Sequence, residues 1–302
     1  MNFIEYWRVM REKFDKYLLN ELSVLPFNNE FKTYFDGGKR LRPILTILVC
    51  QSLGGGFSNA IDFALAVELI HNSMLIHDDF IDSHKCRRGH ESLWRKLNPR
   101  RAVLVADMIL SYAQRKIAKI SALGYTTLAK AIYDVTLGAA MEPFSIDSFM
   151  ESFKKGSIST RFYRVLVRLK TAALFAASAK LGAIAAGKGR NIRSKAYMYG
   201  LYIGEAFQVA DDLVDIYRMR SNGLDDTVLV RLIPAYIYFT KSGNLDFKNL
   251  NNGVIINGMR RLIDEDIGNA LKQLKNWPEN EYTSILIEAP KTITELMLQE
   301  SG

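Results

Sequence analysis

The chain has 302 residues, of which 48% are hydrophobic and 24% charged, enough to bury a large core and still present a polar surface. Forty Lys and Arg against 32 Asp and Glu give a formal charge of +8, which suits polyanionic ligands, whether phosphorylated substrates, nucleic acid or an anionic membrane surface. The only cysteines, Cys50 and Cys86, exclude a disulfide framework and a thiolate metal site and fit a reducing compartment.

Residues 1–7 place charge after the apolar residues rather than before them, and no small-residue cleavage site follows, so no signal peptide is expected. Seven prolines, at 26, 43, 99, 143, 234, 278 and 290, leave long intervals in which helices can run. Asp36-Gly37-Gly38 signals a turn and opens the run Gly37-Gly38-Lys39-Arg40-Leu41-Arg42-Pro43. After a second turn at Gly54-Gly55-Gly56, Leu65, Leu69, Asn72, Leu75 and Ile76 recur at helical spacing and lead into His-Asp-Asp-Phe-Ile-Asp. Arg87-Arg88-Gly89 and Asn98-Pro99 read as turns. The most apolar stretch, Thr171 to Gly187, is interrupted by Lys180 and rich in Ala, which predicts a tightly packed buried helix rather than a membrane span. Further turns are expected at 187–191, at Ser221-Asn222-Gly223 and at Asn251-Asn252-Gly253, and between the first two the stripe Tyr199, Ile203, Phe207, Ala210 ends in Gln-Val-Ala-Asp-Asp-Leu-Val-Asp. No alternating strand pattern, internal repeat or Pro/Gly/Ser-rich linker occurs. The expectation is an all-α protein of ten or more helices in one domain, 1–302, located in the cytoplasm.

Two acidic clusters carry the chemistry: Asp78, Asp79 and Asp82, and Asp211, Asp212 and Asp215, each reading Asp-Asp-x-x-Asp. Residues four apart share a helix face, so Asp78 lies beside Asp82 and Asp211 beside Asp215. Like charges at this spacing cost a helix roughly 0.2–0.5 kcal/mol per pair unless a cation neutralises them. A single such cluster is as well explained as a solvated helix end. Two clusters, each following an apolar run, suggest a metal–diphosphate site, and hard oxygen donors without Cys or ligand-spaced His favour Mg²⁺. The cations of 37–43 and Arg87-Arg88 supply groups suited to phosphate oxygens.

With these motifs in order, the sequence resembles the trans-isoprenyl diphosphate synthases, also called polyprenyl synthases. The resemblance rests on Gly-Gly-Lys-Arg-Leu-Arg-Pro at 37–43, Glu68-Leu-Ile-His71, the first aspartate motif, Arg87-Arg88-Gly89, Lys170-Thr171, and Phe207-Gln208 leading into the second motif. It is strongest over 37–216, while the C-terminal part diverges. The fold it implies is an isoprenoid synthase-type all-α bundle around a central cavity, with the two aspartate motifs facing each other across its mouth, usually as a homodimer. It implies that Lys39, Arg42, His71 and Arg88 hold isopentenyl diphosphate and that Arg87, Lys170, Thr171 and Gln208 face the allylic diphosphate. Asp78, Asp82 and Asp211 would ligate Mg²⁺, supported by Asp79, Asp212 and Asp215, with three ions bound with the diphosphate. Asp78, Asp82, Asp211, Lys170 and Arg87 form the implied catalytic set.

Three departures stand out. The two lysines usual after the second motif are not recognisable in 217–226, where Arg218 or Arg220 would have to compensate; Ala106-Asp107 replaces the usual Gly-Asp, and Gly138-Ala139 the usual Gly-Gln. They resemble the divergence of the hexaprenyl and other medium-chain members. Product length, in this resemblance, depends on the residues about one turn before Asp78, here Ser73 and Met74, with Ile70 deeper. One helical turn is about 5.4 Å, near the length of an isoprene unit. Small Ser73 and flexible Met74 point to C20 or longer, in the range C20–C30. Competing readings are a terpene cyclase-like enzyme, which would not need the isopentenyl set, and a non-catalytic subunit of a heteromeric synthase. A nucleic-acid role for Arg87, Arg88, Arg95, Lys96, Arg100 and Arg101 has no accompanying motif, and no nucleic-acid partner or transmembrane segment is expected.

Overall fold

The computed structural model describes the whole chain apart from residues 144, 157, 223–225, 242–252 and 300–302, together with the helical side chains of 220–222, 226 and 227. The fold is all-α, as expected, and its packing groups the chain into two compact units. The first comprises Met1–Ile132, Ala177–Ala196 and Trp277–Leu286; the second comprises Tyr133–Ala176, Tyr197–Asn276 and Ile287–Gly302.

In the first unit, α1 (Phe3–Ser23) starts at a capping box in which Asn2 and Glu5 satisfy each other's backbone N–H. It buries Phe3, Tyr6, Met10, Phe14, Leu18 and Leu22, a stripe at helical spacing. The short α2 (Asn28–Phe31) runs into a 3₁₀ turn, Lys32–Phe35, which delivers the chain to the glycine turn before α3 (Leu41–Ser52). Helix α3 is buried almost all round, and α4 (Phe57–Ile81) packs against it and against α6 (Pro99–Ile120). Pro99 starts α6, where its missing N–H is no loss, and the Asn98 side chain caps the Arg101 N–H. Trp277 Nε1 donates to Ser52 Oγ at 2.9 Å, tying the third stretch of this unit to the end of α3.

Cys86–Arg87 and His90–Glu91 form a two-stranded ribbon that the sequence pattern did not reveal. Arg88 at φ 52° and Gly89 at φ 78° make the two-residue turn with successive left-handed positions that suits such a hairpin. Strands two residues long carry no readable alternation. Helix α5 (Leu93–Leu97) follows.

In the second unit, α8 (Ile146–Lys154) precedes α9 (Phe162–Leu166), which continues through a π-helical turn, Val167–Ala172, into α10 (Ala173–Ala185). The apolar Thr171–Gly187 stretch is thus a buried helix, and no helix among the described residues is long and apolar enough to cross a membrane. The 33-residue α11 (Arg190–Asn222) carries the second aspartate motif. Residues of α11, α12 (Asp226–Thr240) and α13 (Gly253–Gln273) share an apolar core with α8 and α9. Helices α7 (Ala122–Met141), α10, α11 and α14 (Glu281–Leu298) each pass from one unit into the other along the chain, residues 177–185 of α10 and 190–196 of α11 belonging to the first. Pro234 and Pro290 lie inside α12 and α14 instead of ending them. The turn expected at 221–223 gives way to helix through Asn222, and Asn251 and Asn252 lie outside the described residues.

Close backbone approach sets the position of Lys170 and Thr171. A Cβ on Gly138 would lie 2.6 Å from the Lys170 amide nitrogen, and one on Gly204 would lie 2.5 Å from the Ala172 Cα. Only glycine permits both contacts, and in each case the opposing atom is backbone that cannot swing away. Gly204→Ala is therefore expected to destabilise the protein by roughly 1–3 kcal/mol, read as a lower urea midpoint at unchanged m-value; a variant as stable as wild type would contradict this packing.

Candidate active site

The first group of site residues lies in the first unit, where Gly37-Gly38 brings a cationic turn against α4. The turn is held from several sides. Trp7 Nε1 donates to the Lys39 carbonyl at 2.7 Å. Arg40, left-handed at φ 55° and buried, donates from Nε to Asp15 at 2.7 Å, from Nη1 to Glu68 at 2.7 Å, and from Nη2 to the Phe35 carbonyl. A side chain on Gly38 would collide with the Arg40 guanidinium and meet Arg88 Nη1 at 3.1 Å. Arg40, in the middle of the cationic run, is thus a strut, while Lys39 before it and Arg42 after it on α3 are half-buried.

Arg42 Nη1 lies 3.3 Å from His71 Nε2. Arg88 Nη1 donates to Asn72 Oδ1 at 3.1 Å, and Asn72 in turn donates to the Glu68 carboxylate at 2.8 Å. Arg42, His71 and Arg88 therefore converge, as their proposed common ligand requires. Burial, then the charges of Arg42, Arg88, Arg87 and Arg40, pull the His71 pKa well below its usual value, so the imidazole is neutral at pH 7. Burial foremost also pulls the Arg88 guanidinium below its usual range, with Arg40 adding to the effect against Glu68. This is a pocket of guanidinium charge whose relief would be an anion.

Two helical turns beyond His71, the first aspartate motif ends α4. Asp78 is half-buried, Asp82 is the exposed C-cap whose N–H donates to the Asp78 carbonyl at 2.8 Å, and Asp79 is fully buried. Asp79 Oδ1 accepts from Arg87 Nη2 at 2.6 Å and Nε at 2.7 Å; its Oδ2 accepts from Tyr34 OH at 2.7 Å. Burial works against the Asp79 charge, but hydrogen bonds from His84, Arg87 and Tyr34 outweigh it and hold the carboxyl below its usual value. Of the residues expected to govern product length, Ile70 and Ser73 are fully buried, and Ser73 Oγ donates to the Ala106 carbonyl of α6 at 2.8 Å. Met74 is half-buried and shares its helix face with Ile70 and Asp78.

The second group lies in the second unit. Thr171 Oγ1 donates to Gln208 Oε1, and Gln208 Nε2 donates to Asp212 Oδ1 at 2.9 Å and Asp211 Oδ2 at 3.2 Å. Tyr163 OH donates to Asp212 Oδ2 at 2.6 Å. Lys170 is ion-paired with Glu142. Asp215 lies on the same side as Asp211, 3.8 Å from Arg218 Nη1. Burial, then the nearby Asp215 charge, pushes the Asp211 carboxyl up to about 6, against Gln208, Arg231 and Arg218. Burial pushes Asp212 up to about 7 despite the Tyr163 hydrogen bond. Beneath this layer, Arg164 bridges Glu205 and Asp266, the latter at 2.7 Å, while Arg168 reaches Glu205 as well. Of the two arginines named as substitutes for the usual lysines, Arg218 reaches the second motif at Asp215; the side chain of Arg220 and residues 223–225 lie outside the described residues.

Among the described residues no three acid, imidazole or thiol groups form a ready-made metal cage. The donors are nonetheless all oxygen, and repulsion within the second motif is what a cation would relieve. That fits Mg²⁺, which binds through one or two carboxylates and completes its shell with water and phosphate. Tyr34, Glu142, Tyr163, Arg164, Glu205 and Asp266 were not singled out from sequence. Their partners at the site stand from 28 to 102 positions away, so no local pattern could mark them. Arg40, counted from sequence among the cations suited to phosphate, is spent on Asp15 and Glu68.

A family model described as Polyprenyl synthetase matches residues 26–223. The chain is 32% identical over 186 residues to a geranylgeranyl pyrophosphate synthase of Geoglobus acetivorans, covering 60% of this chain and 56% of that protein. It is 33% identical over 180 residues to heptaprenyl diphosphate synthase component 2 of Geobacillus stearothermophilus, covering 59% and 54%. It thus spans about half the length of the curated relatives it matches. In fold it is similar to a decaprenyl diphosphate synthase of Rhodobacter capsulatus, with a TM-score of 0.81 at 21% identity over 98% of this chain and 99% of that one.

The raised values at Asp211 and Asp212 carry a sign. Unfolded carboxyls titrate near 4, so folding takes up protons in between, and the stability these groups contribute is full below about 4 and lost as pH rises through about 6–7. In chelator-treated protein, wild type should lose melting temperature between pH 5 and 7.5 relative to the Asp211→Asn/Asp212→Asn variant. The expected loss is roughly 2–4 °C for each kcal/mol of linkage; parallel curves would contradict these shifts.

Proposed function

The chain belongs to the polyprenyl synthetase family, and on that premise we propose that it is a trans-prenyltransferase joining isopentenyl diphosphate to an allylic prenyl diphosphate, giving a C20–C30 polyprenyl diphosphate and free diphosphate. The observation that carries this reading is the convergence of Arg42, His71 and Arg88 beside an intact first aspartate motif. A cyclase acting on one prenyl substrate has no use for such a second anion site.

In this reading Lys39, Arg42, His71 and Arg88 hold isopentenyl diphosphate. Neutral His71, with Arg42 donating to Nε2, keeps a proton on Nδ1, and the guanidinium forks supply charge. Arg87, Lys170, Thr171 and Gln208 hold the allylic diphosphate, for which Lys170 exchanges its Glu142 partner for phosphate oxygen. Asp78, Asp82 and Asp211 would hold Mg²⁺, expected as three ions, with Asp79, Asp212 and Asp215 behind them. The metal, when bound with the diphosphate, neutralises charge on the leaving group. The cationic side chains stabilise the same charge as the allylic C–O bond breaks and its electron pair leaves with the diphosphate. The isopentenyl double bond then attacks the allylic carbon, and a proton passes from the adduct to the departed diphosphate.

We place the protein in the cytoplasm, consistent with unpaired Cys50 and Cys86, and as a homodimer, for which the exposed Leu123, Tyr133 and Leu137 of α7 and Leu104 of α6 offer apolar surface. A second reading, as one subunit of a heteromeric synthase, draws on the similarity to a component 2 protein.

Purified protein with Mg²⁺, labelled isopentenyl diphosphate and, separately, C5, C10, C15 and C20 primers should give products of C20 to C30 on chromatographic sizing. No incorporation by a folded protein would overturn the homomeric reading and favour a missing partner. Asp78→Ala and Asp211→Ala should each lower turnover by at least about 10²-fold with helical content near wild type; retained turnover in either would remove that residue from the metal set. Met74→Phe should shorten the product by at least one isoprene unit, about one helical turn in length, and an unchanged product would move the length determinant off this face.

A further inference from the structure

The two aspartate motifs share a construction that their sequences do not display. In each, the middle carboxylate has both oxygens occupied, one by a phenol and the other by nitrogen donors from the same half-site. Asp79 receives Tyr34 on Oδ2 at 2.7 Å and the Arg87 fork on Oδ1 at 2.6 and 2.7 Å. Asp212 receives Tyr163 on Oδ2 at 2.6 Å and Gln208 on Oδ1 at 2.9 Å. The outer acids, four residues apart, lie on the neighbouring face, about 100° around the helix from the middle residue.

The two tyrosines are themselves fixed. Tyr34 is 5% exposed and ends the 3₁₀ turn beside Phe35, whose carbonyl takes Arg40. Tyr163 is 3% exposed and packs on Tyr238 and Phe239 of α12, ring centroids 5.6 and 6.0 Å away. Tyr34 therefore joins the cationic turn to the first motif across 45 positions, and Tyr163 joins the start of α9 to the second across 49. A carboxylate gripped at both oxygens cannot rotate, and the helical turn bearing it cannot roll without breaking both bonds. Neither phenol is needed for solubility or packing alone, since phenylalanine would fill the same space; the hydroxyl is what reaches the acid.

We propose that Tyr34 and Tyr163 are positioning residues of the two aspartate motifs, each holding the middle carboxylate through its hydroxyl and so aiming the outer carboxylates at the metal and diphosphate. This rests on the prenyltransferase reading for its ligand. Its test does not depend on turnover.

Tyr34→Phe and Tyr163→Phe keep ring packing and delete one hydrogen bond each. Calorimetric titration of Mg²⁺ into full-length protein with saturating inorganic diphosphate should show affinity weakened about 10–100-fold in each variant, the usual cost of losing a group behind a metal ligand. In the same series the Mg²⁺ concentration for half-maximal prenyl transfer should rise by a similar factor. Because each tyrosine acts through its acid, Tyr34→Phe added to Asp79→Asn, and Tyr163→Phe added to Asp212→Asn, should weaken Mg²⁺ binding little beyond the Asn change alone. Variants that melt at lower temperature yet bind Mg²⁺ like wild type would overturn the proposal and leave a purely structural role, as would fully additive double variants. If wild type transfers no prenyl group but the Phe variants still weaken Mg²⁺–diphosphate binding, the reaction assigned above fails while the positioning role stands.

Discussion

A carboxylate taken out of water must be given donors in place of the ones it lost, because an ionised acid left unpaired in the interior costs several kcal/mol. Four buried acids of this protein meet that demand through arginine: Glu68, Asp79, Glu205 and Asp266. Each is a meeting point for segments far apart in sequence. Glu68 gathers Arg40 and Asn72, and through Asn72 also Arg88. Glu205 gathers Arg164 and Arg168, and Arg164 goes on to Asp266 of α13. Remove the donors and the helices lose the contacts that set their register.

The two groups of site residues are built with opposite imbalances. Around His71 the four arginines Arg40, Arg42, Arg87 and Arg88 crowd together, and two of them are consumed by Glu68 and Asp79. Burial depresses His71 first, and the residual positive field adds to it and favours an anion. In the second motif Asp211, Asp212 and Asp215 crowd together, and burial, with their mutual repulsion adding to it, raises the first two. The residual demand there is for positive charge. An anion answers the first demand and a divalent cation the second, and among the described residues no ready-made cage of acid, imidazole or thiol groups does so in advance.

Backbone geometry supplies the rest. The π-helical turn Val167–Ala172 carries both Lys170 and Thr171, and such insertions shift the residues after them around the helix axis relative to a regular α-helix. Gly138 and Gly204 let neighbouring helices approach that turn on two sides, so Thr171 reaches Gln208 and Lys170 reaches Glu142. At the hairpin, Arg88 occupies a left-handed position normally left to glycine or asparagine, and its guanidinium is placed against Gly38 and Asn72 as a result.

The sequence by itself determined the helical class, because apolar residues at spacings of three and four along α1, α4 and α11 impose one period wherever they bury a face. It determined the identity of the chemical groups too: acids four apart, a glycine turn loaded with cations, and Lys170-Thr171 ahead of Gln208 are all local, and local spacing survives folding into a helix. Tertiary structure alone decided which of those groups face a ligand. Arg40 and Arg42 differ by two positions in sequence, yet one is a buried strut and the other stands beside His71. Asp79 and Asp78 are adjacent, yet only Asp79 is sealed between Tyr34 and Arg87. All of the partners that make these distinctions except Arg87 lie tens of residues away, and a hydrogen bond across such a separation leaves no trace in the period or composition of either segment.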